Sequence, residues 1–150
     1  MDKQARILIV DDDENIRNTM KAILEDEGYM VDSAASGNEA ILKTEKTTYN
    51  IALLDIRLPD MEGTKLLKLM KESVPRTRKV MVTGYPSMQN AITALNKNAD
   101  AFLVKPINVE SLLKTVKEQL QSQQEEREYS EQKVAEFIET RVKELNVNEA

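Results

Sequence analysis

Apolar residues in the first 120 positions follow two alternating rhythms. Short runs rich in β-formers occur at Ile7–Val10, Tyr29–Val31, Ile51–Leu54, Val80–Val82 and Ala101–Val104. Runs of this length bounded by turn residues fit strands buried on both faces, as in a parallel sheet. Between them the spacing changes to three and four. Ile16, Met20, Ile23 and Leu24 predict a first helix that stops at Gly28, a C′ glycine. Ser36-Gly37-Asn38-Glu39 reads as a capping box, with Ser36 accepting from the Glu39 N–H, ahead of Ala40, Ile41 and Leu42. Leu66, Leu67, Leu69 and Met70 predict a third helix, and Ala91, Ile92 and Leu95 a fourth. Asn108 can cap a fifth that carries Leu112, Leu113, Val116 and Leu120. Five strand–helix repeats predict a doubly wound α/β fold, with a five-stranded parallel sheet and helices on both faces.

The rhythm changes near residue 120. Residues 109–145 contain neither Gly nor Pro, so one helix can run through them for ~55 Å. The apolar stripe fails from Gln121 to Glu128, which rules out a clean coiled coil. It resumes at Val134, Phe137, Ile138, Val142 and Leu145. The charge also divides here. The 150 residues carry 21 Lys+Arg and 26 Asp+Glu, and residues 121–150 hold 4 of the former and 8 of the latter. Four of the five net negative charges therefore lie in the tail. The expected organisation is one domain over 1–120 and a helical extension, linker or dimerisation segment over 121–150.

Composition removes several function classes. The net charge of −5 argues against a nucleic-acid-binding surface. With no Cys there are no disulfides, thiolate nucleophiles or Cys-based zinc sites, and with no His there is no Ser-His-Asp or HExxH chemistry. The N-terminal apolar run of four residues is too short for a signal peptide or a membrane span, so a cytoplasmic location is expected.

In doubly wound sheets ligands bind outside the carboxyl ends of the strands. The first strand is followed by Asp11, Asp12 and Asp13. The third leads into Asp55, the fourth into Thr83 and Gly84, and the fifth into Lys105 and Pro106. Several carboxylates within a few ångströms need a cation, and a hard ion such as Mg²⁺ prefers carboxylate oxygen. Asp12 and Asp55 fit as direct ligands, Asp11 through water, with the Arg57 backbone carbonyl completing the set. Phosphoryl transfer to a carboxylate then becomes feasible, with Lys105 adding positive charge, the Thr83 hydroxyl binding a phosphoryl oxygen and Gly84 leaving room.

Four segments carry a family resemblance. They are Ile7-Leu8-Ile9-Val10-Asp11-Asp12, then Leu54-Asp55-Ile56-Arg57-Leu58-Pro59-Asp60-Met61-Glu62-Gly63, then Val80-Met81-Val82-Thr83-Gly84, and last Phe102-Leu103-Val104-Lys105-Pro106. In this order and spacing the chain resembles the response-regulator receiver domains of two-component systems, the family of the chemotaxis regulator, from about residue 5 to 120. The resemblance implies a flavodoxin-like strand order, 2-1-3-4-5. It implies that Asp55 is the phosphoacceptor, with Mg²⁺ held by Asp11, Asp12, Asp55 and the Arg57 carbonyl. Thr83, Gly84 and Lys105 would bind the phosphoryl group, and Thr83 and Phe102 would act as the switch. The Lys105–Pro106 peptide is usually cis in the family. Arg57 and Tyr85, which vary in the family, would stand at the mouth of the site and tune dephosphorylation. The protein would be a switch rather than an enzyme. Its partners would be a histidine kinase or phosphotransfer protein and a second copy of itself, bound through the fourth helix, fifth strand and fifth helix or through the C-terminal helix.

Blander readings stand beside these. Asp13 can simply cap the helix that starts near Asn15, Phe102 can be a core aromatic, and Pro59 and Gly63 can merely shape a loop. A strand followed by Asp11-x-Asp13, with Val82-Thr83 and Lys105 later, also resembles the haloacid-dehalogenase phosphatases. In that reading Asp11 is the nucleophile and Asp13 the acid/base. The family needs a further acidic pair, but no Asp follows Asp100, and Asp55 is left unexplained. A receiver-like interaction module that is never phosphorylated is the third alternative. Thirty tail residues cannot hold a winged helix or an ATPase, so either the chain signals by protein contact alone or it is a piece of a longer protein, the latter being favoured.

Overall fold

The computed structural model describes residues 5–84 and 99–149. Five parallel strands form one sheet: β1 (Arg6–Val10), β2 (Met30–Ala34), β3 (Ile51–Asp55), β4 (Arg78–Thr83) and β5 (Ala101–Val104), in the order β2-β1-β3-β4-β5. The described helices are α1 (Glu14–Asp26), α2 (Gly37–Lys46), α3 (Gly63–Leu69) and the C-terminal helix α4 (Val109–Glu149). The helix expected around Ala91, Ile92 and Leu95, and Tyr85, lie outside the described residues.

Side chains alternate across each strand, so the sheet has a core on either face. Ile7, Ile9, Ile51, Leu53, Val80, Val82 and Leu103 point to one face, where Met20 and Leu24 of α1 and Leu112, Val116 and Leu120 of α4 cover them. Leu8, Val10, Ala52, Leu54 and Met81 point to the other, under Ala40 of α2 and Leu66 and Leu67 of α3. The central strand β3 is buried along its whole length. Both faces of the inner strands are apolar, which is why the sequence shows continuous runs there instead of alternation.

Local signals end the elements where expected. Asp13 caps α1 by accepting from the Ile16 N–H at 3.1 Å. Gly28 has φ +98, and its N–H and that of Tyr29 return to the Glu25 and Leu24 carbonyls. These two bonds close the helix in a Schellman motif. Ser36 accepts from the Glu39 N–H, while Glu39 reaches back to the Ala35 N–H and not to that of Ser36 itself. Asn108 caps α4 through the Ser111 N–H.

Two strands differ from the expected runs. β2 extends through Asp32 and Ser33 to Ala34, because an edge strand is only half covered and tolerates polar side chains. β4 begins at Arg78 and Lys79, whose pairing with Ile51 and Ala52 is supported by Asp100. The tail also differs at one residue. Gln123, which reads as a break in the apolar stripe, is buried at 5% exposure. Its Nε2 donates to the carbonyls of Arg76 (2.7 Å) and Asn50 (3.1 Å), and its Oε1 accepts from Asn50 Nδ2 at 2.9 Å. A buried amide is tolerable because every partner is supplied. Among the described residues no helix is long and apolar enough to cross a membrane.

Candidate functional site

The carboxyl ends of β1, β3, β4 and β5 meet in one place. Backbone bonds continue the ladder just past the strands: Ile56 N–H donates to Val82 O at 3.1 Å, and Lys105 N–H to Thr83 O at 2.7 Å. They bring Asp55, Thr83 and Lys105 together from residues far apart in the chain. Asp11, Asp12 and Asp55 each offer a carboxylate oxygen within 4.8 Å of the others'. Asp11 and Asp55 are buried and Asp12 is exposed.

Each carboxylate is held in its own way. Asp11 Oδ1 accepts from the Asp13 N–H at 2.9 Å, and its Oδ2 lies 2.8 Å from Lys105 Nζ. The Arg17 guanidinium donates to the Asp11 carbonyl at 2.7 Å and fixes the turn after β1. Asp55 Oδ2 accepts from the same Lys105 ammonium at 3.1 Å, and Oδ1 from the Arg57 N–H at 3.3 Å. One lysine therefore bridges the two buried carboxylates.

The electrostatics follow from this shortage of positive charge. Burial, then the neighbouring Asp11 charge, raises the Asp55 carboxyl above its ordinary value, and Lys105 offsets only part of that. Burial works to lower the Lys105 ammonium, but its bond to Asp11 and the charges of Asp55 and Asp11 outweigh it and hold the group above its usual value. Two buried acids share one half-buried ammonium. Each carboxylate keeps lone pairs, and all the side-chain donors are oxygens, as a hard divalent cation requires. The residues present therefore fit a Mg²⁺ ion.

The other expected residues lie as follows. Thr83 is buried at the end of β4 and Gly84 next to it is exposed. Among the described residues, a Cβ added at Gly84 would meet the Lys105 stem, at ordinary contact distance. Arg57 is exposed on the loop after β3, opposite Glu62 in an isolated bridge. Phe102 is half-buried and packs against the α2–α3 core, one residue out of phase with Leu103. The Lys105–Pro106 peptide is cis. Asp13 is occupied as the α1 cap.

Two supporting residues escaped sequence reasoning. Asp60 accepts from the Gly37 and Asn38 N–H groups, both at 2.9 Å, and is held below the ordinary carboxylate range by those bonds. It pins the loop after Asp55 to the N-terminus of α2, where unpaired N–H groups and the helix dipole favour an anion. Gly63 does more than shape that loop. A Cβ there would lie 2.1 Å from the Asp55 carbonyl oxygen, and its N–H donates to Ile56 O at 2.6 Å. The start of α3 thus rests directly on the backbone that carries Asp55.

Residues 7–117 match the family described as the response regulator receiver domain. The chain belongs to that family. The matched span contains every carboxylate of the cluster, Thr83 and Lys105. A CheY-like response regulator receiver domain protein from Methanospirillum hungatei JF-1 has a similar structure, with a TM-score of 0.73 and 49% identity over 82% of this chain and 98% of its own. Regulatory protein VanRB of Enterococcus faecalis is 40% identical over 74% of this chain and 50% of its own length. The alginate biosynthesis transcriptional regulatory protein AlgB of Pseudomonas aeruginosa is 35% identical over 82% of this chain and 27% of its own length. The receiver chain thus spans half or less of these two curated relatives. Receiver domains are signalling domains of two-component systems, generally without enzymatic activity, and bind Mg²⁺ at a cluster of aspartates.

Proposed function

We propose that this receiver is a cytoplasmic phosphorylation switch that takes a phosphoryl group onto Asp55 from a histidine kinase or phosphotransfer protein. The observation that carries the reading is the single lysine shared by two buried carboxylates, with a third carboxylate in reach. Such a site holds an excess of negative charge, which a cation and a phosphoryl group can exploit together.

In the step itself an Asp55 carboxylate oxygen attacks phosphorus. The bond from phosphorus to the donor's imidazole nitrogen breaks, and the electron pair leaves with that nitrogen. Lys105 lies where it can neutralise charge on a phosphoryl oxygen, and the Thr83 hydroxyl can donate to another. Asp12 and Asp55, with Asp11 through water and the Arg57 carbonyl, would hold Mg²⁺. When bound, the ion would neutralise further negative charge on the phosphoryl oxygens. Movement of Thr83 toward the phosphoryl group would free space for Phe102 to turn inward. That would remodel the face that includes β5 and the first turns of α4, where a second copy can bind; the part of α4 beyond residue 120 offers an alternative dimer surface. A ligand shifts such an equilibrium only by its differential affinity for the two states. Residues 1–120 form the receiver in this reading and 121–150 the extension. Arg57 and Tyr85 would hinder the attacking water, so Arg57→Ala or Tyr85→Ala should accelerate autodephosphorylation.

The test is to incubate the chain with Mg²⁺ and a small phosphodonor and to weigh it. A gain of ~80 Da that vanishes in Asp55→Asn is expected, since a phosphoryl group adds that mass and ~2 charges. Label on Asp11 would indicate phosphatase chemistry, and no label an inert interaction module.

A further inference from the structure

The exposed apolar stripe of the tail and the helix face docked on the receiver are the same face. Eighteen residues make about five turns of an α-helix and return to the same side. Val116, Gln119, Leu120, Gln123 and Gln124 are among the buried or half-buried positions of α4 against the receiver, with Leu112, Leu113, Thr115 and Ser122. Moved on by that interval the first five become Val134, Phe137, Ile138, Arg141 and Val142. Leu145 continues the stripe. Phe137 is 67% exposed, and Val134, Ile138, Val142 and Leu145 are exposed by about half or more. The receiver therefore overhangs the side on which the tail needs a partner.

This geometry restricts how two copies can pair through the tail. In a parallel pair, the partner helix would run about 8–10 Å away on that same side. Its first half would then pass through the volume of the receiver, because α4 is one unbroken helix from Val109 to Glu149. Parallel pairing would also place two copies of Arg141 face to face in the middle of the stripe. An antiparallel pair has neither fault. Centred between Glu139 and Thr140, it sets Val134 opposite Leu145 and Ile138 opposite Arg141. Lys133 comes beside Glu144 of the second copy on one flank.

A separate feature lies where residues 146–149 of the second copy would come. The loop before β4 and the underside of α4 enclose a groove of about 420 Å³, with Val74, Arg76, Arg127 and Ser130 among its walls. Val74 there is 98% exposed. The antiparallel register brings the last turn of the second copy to Ser130, over this groove.

We propose that the tail is an antiparallel self-association surface, joining two receivers with residues 146–149 of each tail beside the loop before the other's β4. The inference rests on the proposal that the receiver dimerises, and it fixes which surface does so and in which direction.

The chain has no Cys, so introduced cysteines report cleanly. Val134→Cys and Leu145→Cys chains mixed at about 100 μM and mildly oxidised should give a mixed disulfide dimer. Neither should cross-link to itself, since like residues would lie about 16 Å apart along the pair and a disulfide needs Cα atoms within about 7 Å. Sedimentation equilibrium of Phe137→Gln/Ile138→Gln, which keeps good helix formers, should show dimer dissociation weakened at least tenfold. Self-linked Val134→Cys without the mixed product would overturn the antiparallel direction. A dimer unaffected by the glutamine pair would move the surface to β5 and the first turns of α4, before residue 120. A chain that stays monomeric at every concentration would refute dimerisation altogether.

Discussion

Gly63→Ala tests whether the start of α3 rests on the strand end that carries Asp55. A Cβ at this position falls 2.1 Å from the Asp55 carbonyl oxygen and 3.0 Å from the Asp55 carbonyl carbon and Ile56 Cα. All three are backbone atoms, so no rotamer change can relieve the clash. Ordinary contact begins near 3.4 Å, so α3 and the strand end must separate by ~1.3 Å. That movement breaks the 2.6 Å bond from Gly63 N–H to Ile56 O. The lost bond costs about 1 kcal/mol net, and overpacking of a tight contact about 1–3 kcal/mol. A loss of about 2–4 kcal/mol is expected, or roughly 10 °C in Tm for a chain of this size. Urea and thermal unfolding followed by circular dichroism would measure it, with the urea slope unchanged. Two other glycines calibrate the result. At Gly28 a Cβ meets nothing within 4 Å among the described residues, and the left-handed backbone at φ +98 costs about 1 kcal/mol. At Gly84 the Cβ makes ordinary contacts, and the change should stay within about 0.5 kcal/mol. A Gly63→Ala variant no less stable than Gly28→Ala would refute the reasoning.

Three further outcomes follow from the same contacts. Mg²⁺ should raise Tm in a saturable way, by up to about 2.7 kcal/mol of stability at a hundred times its dissociation constant, and Asp12→Asn should abolish most of the rise; an unchanged rise in that variant would remove Asp12 from the ion site. Asp100 is half-buried, which opposes its charge, but Arg76, the Lys79 N–H and Arg78 hold its carboxyl below the ordinary range. Its contribution is therefore complete above the unfolded carboxylate value near 4 and fades as pH falls through the folded one. Asp100→Asn should cost about 1–2 kcal/mol at pH 7 and converge with the parent chain in acid, as read by urea unfolding across pH. Gln123→Ala strips partners from the Arg76 carbonyl and the Asn50 amide and should cost about 2 kcal/mol; a neutral result in the same assay would show that the helix is not anchored there.

Much of the site could be read from residues that follow strands. Asp11, Asp12, Asp55, Thr83 and Lys105 stand immediately after or at the ends of apolar runs, and a parallel sheet gathers such ends on one edge whatever the loops do. The caps at Asp13, Ser36 and Asn108 were legible for a different reason, since each acts on N–H groups three residues ahead. What the sequence did not disclose are contacts between distant segments. Asp60 caps a helix that begins twenty-three residues before it, and Gln123 binds a strand start seventy-three residues away. Periodicity treats both as solvated polar positions, because it registers that a residue is polar but not what will satisfy it.

The sequence by itself determined the alternation of strands and helices, the acidic strand ends, and an amphipathic helix that continues past its domain. These depend on spacing within a few residues. Only the tertiary structure decided that one lysine serves two buried carboxylates, that Gly63 must lack a side chain, and that the tail's apolar stripe shares its face with the receiver. Those depend on which surfaces meet when helices close over a twisted sheet. A linear pattern carries no record of that meeting until the chain is folded.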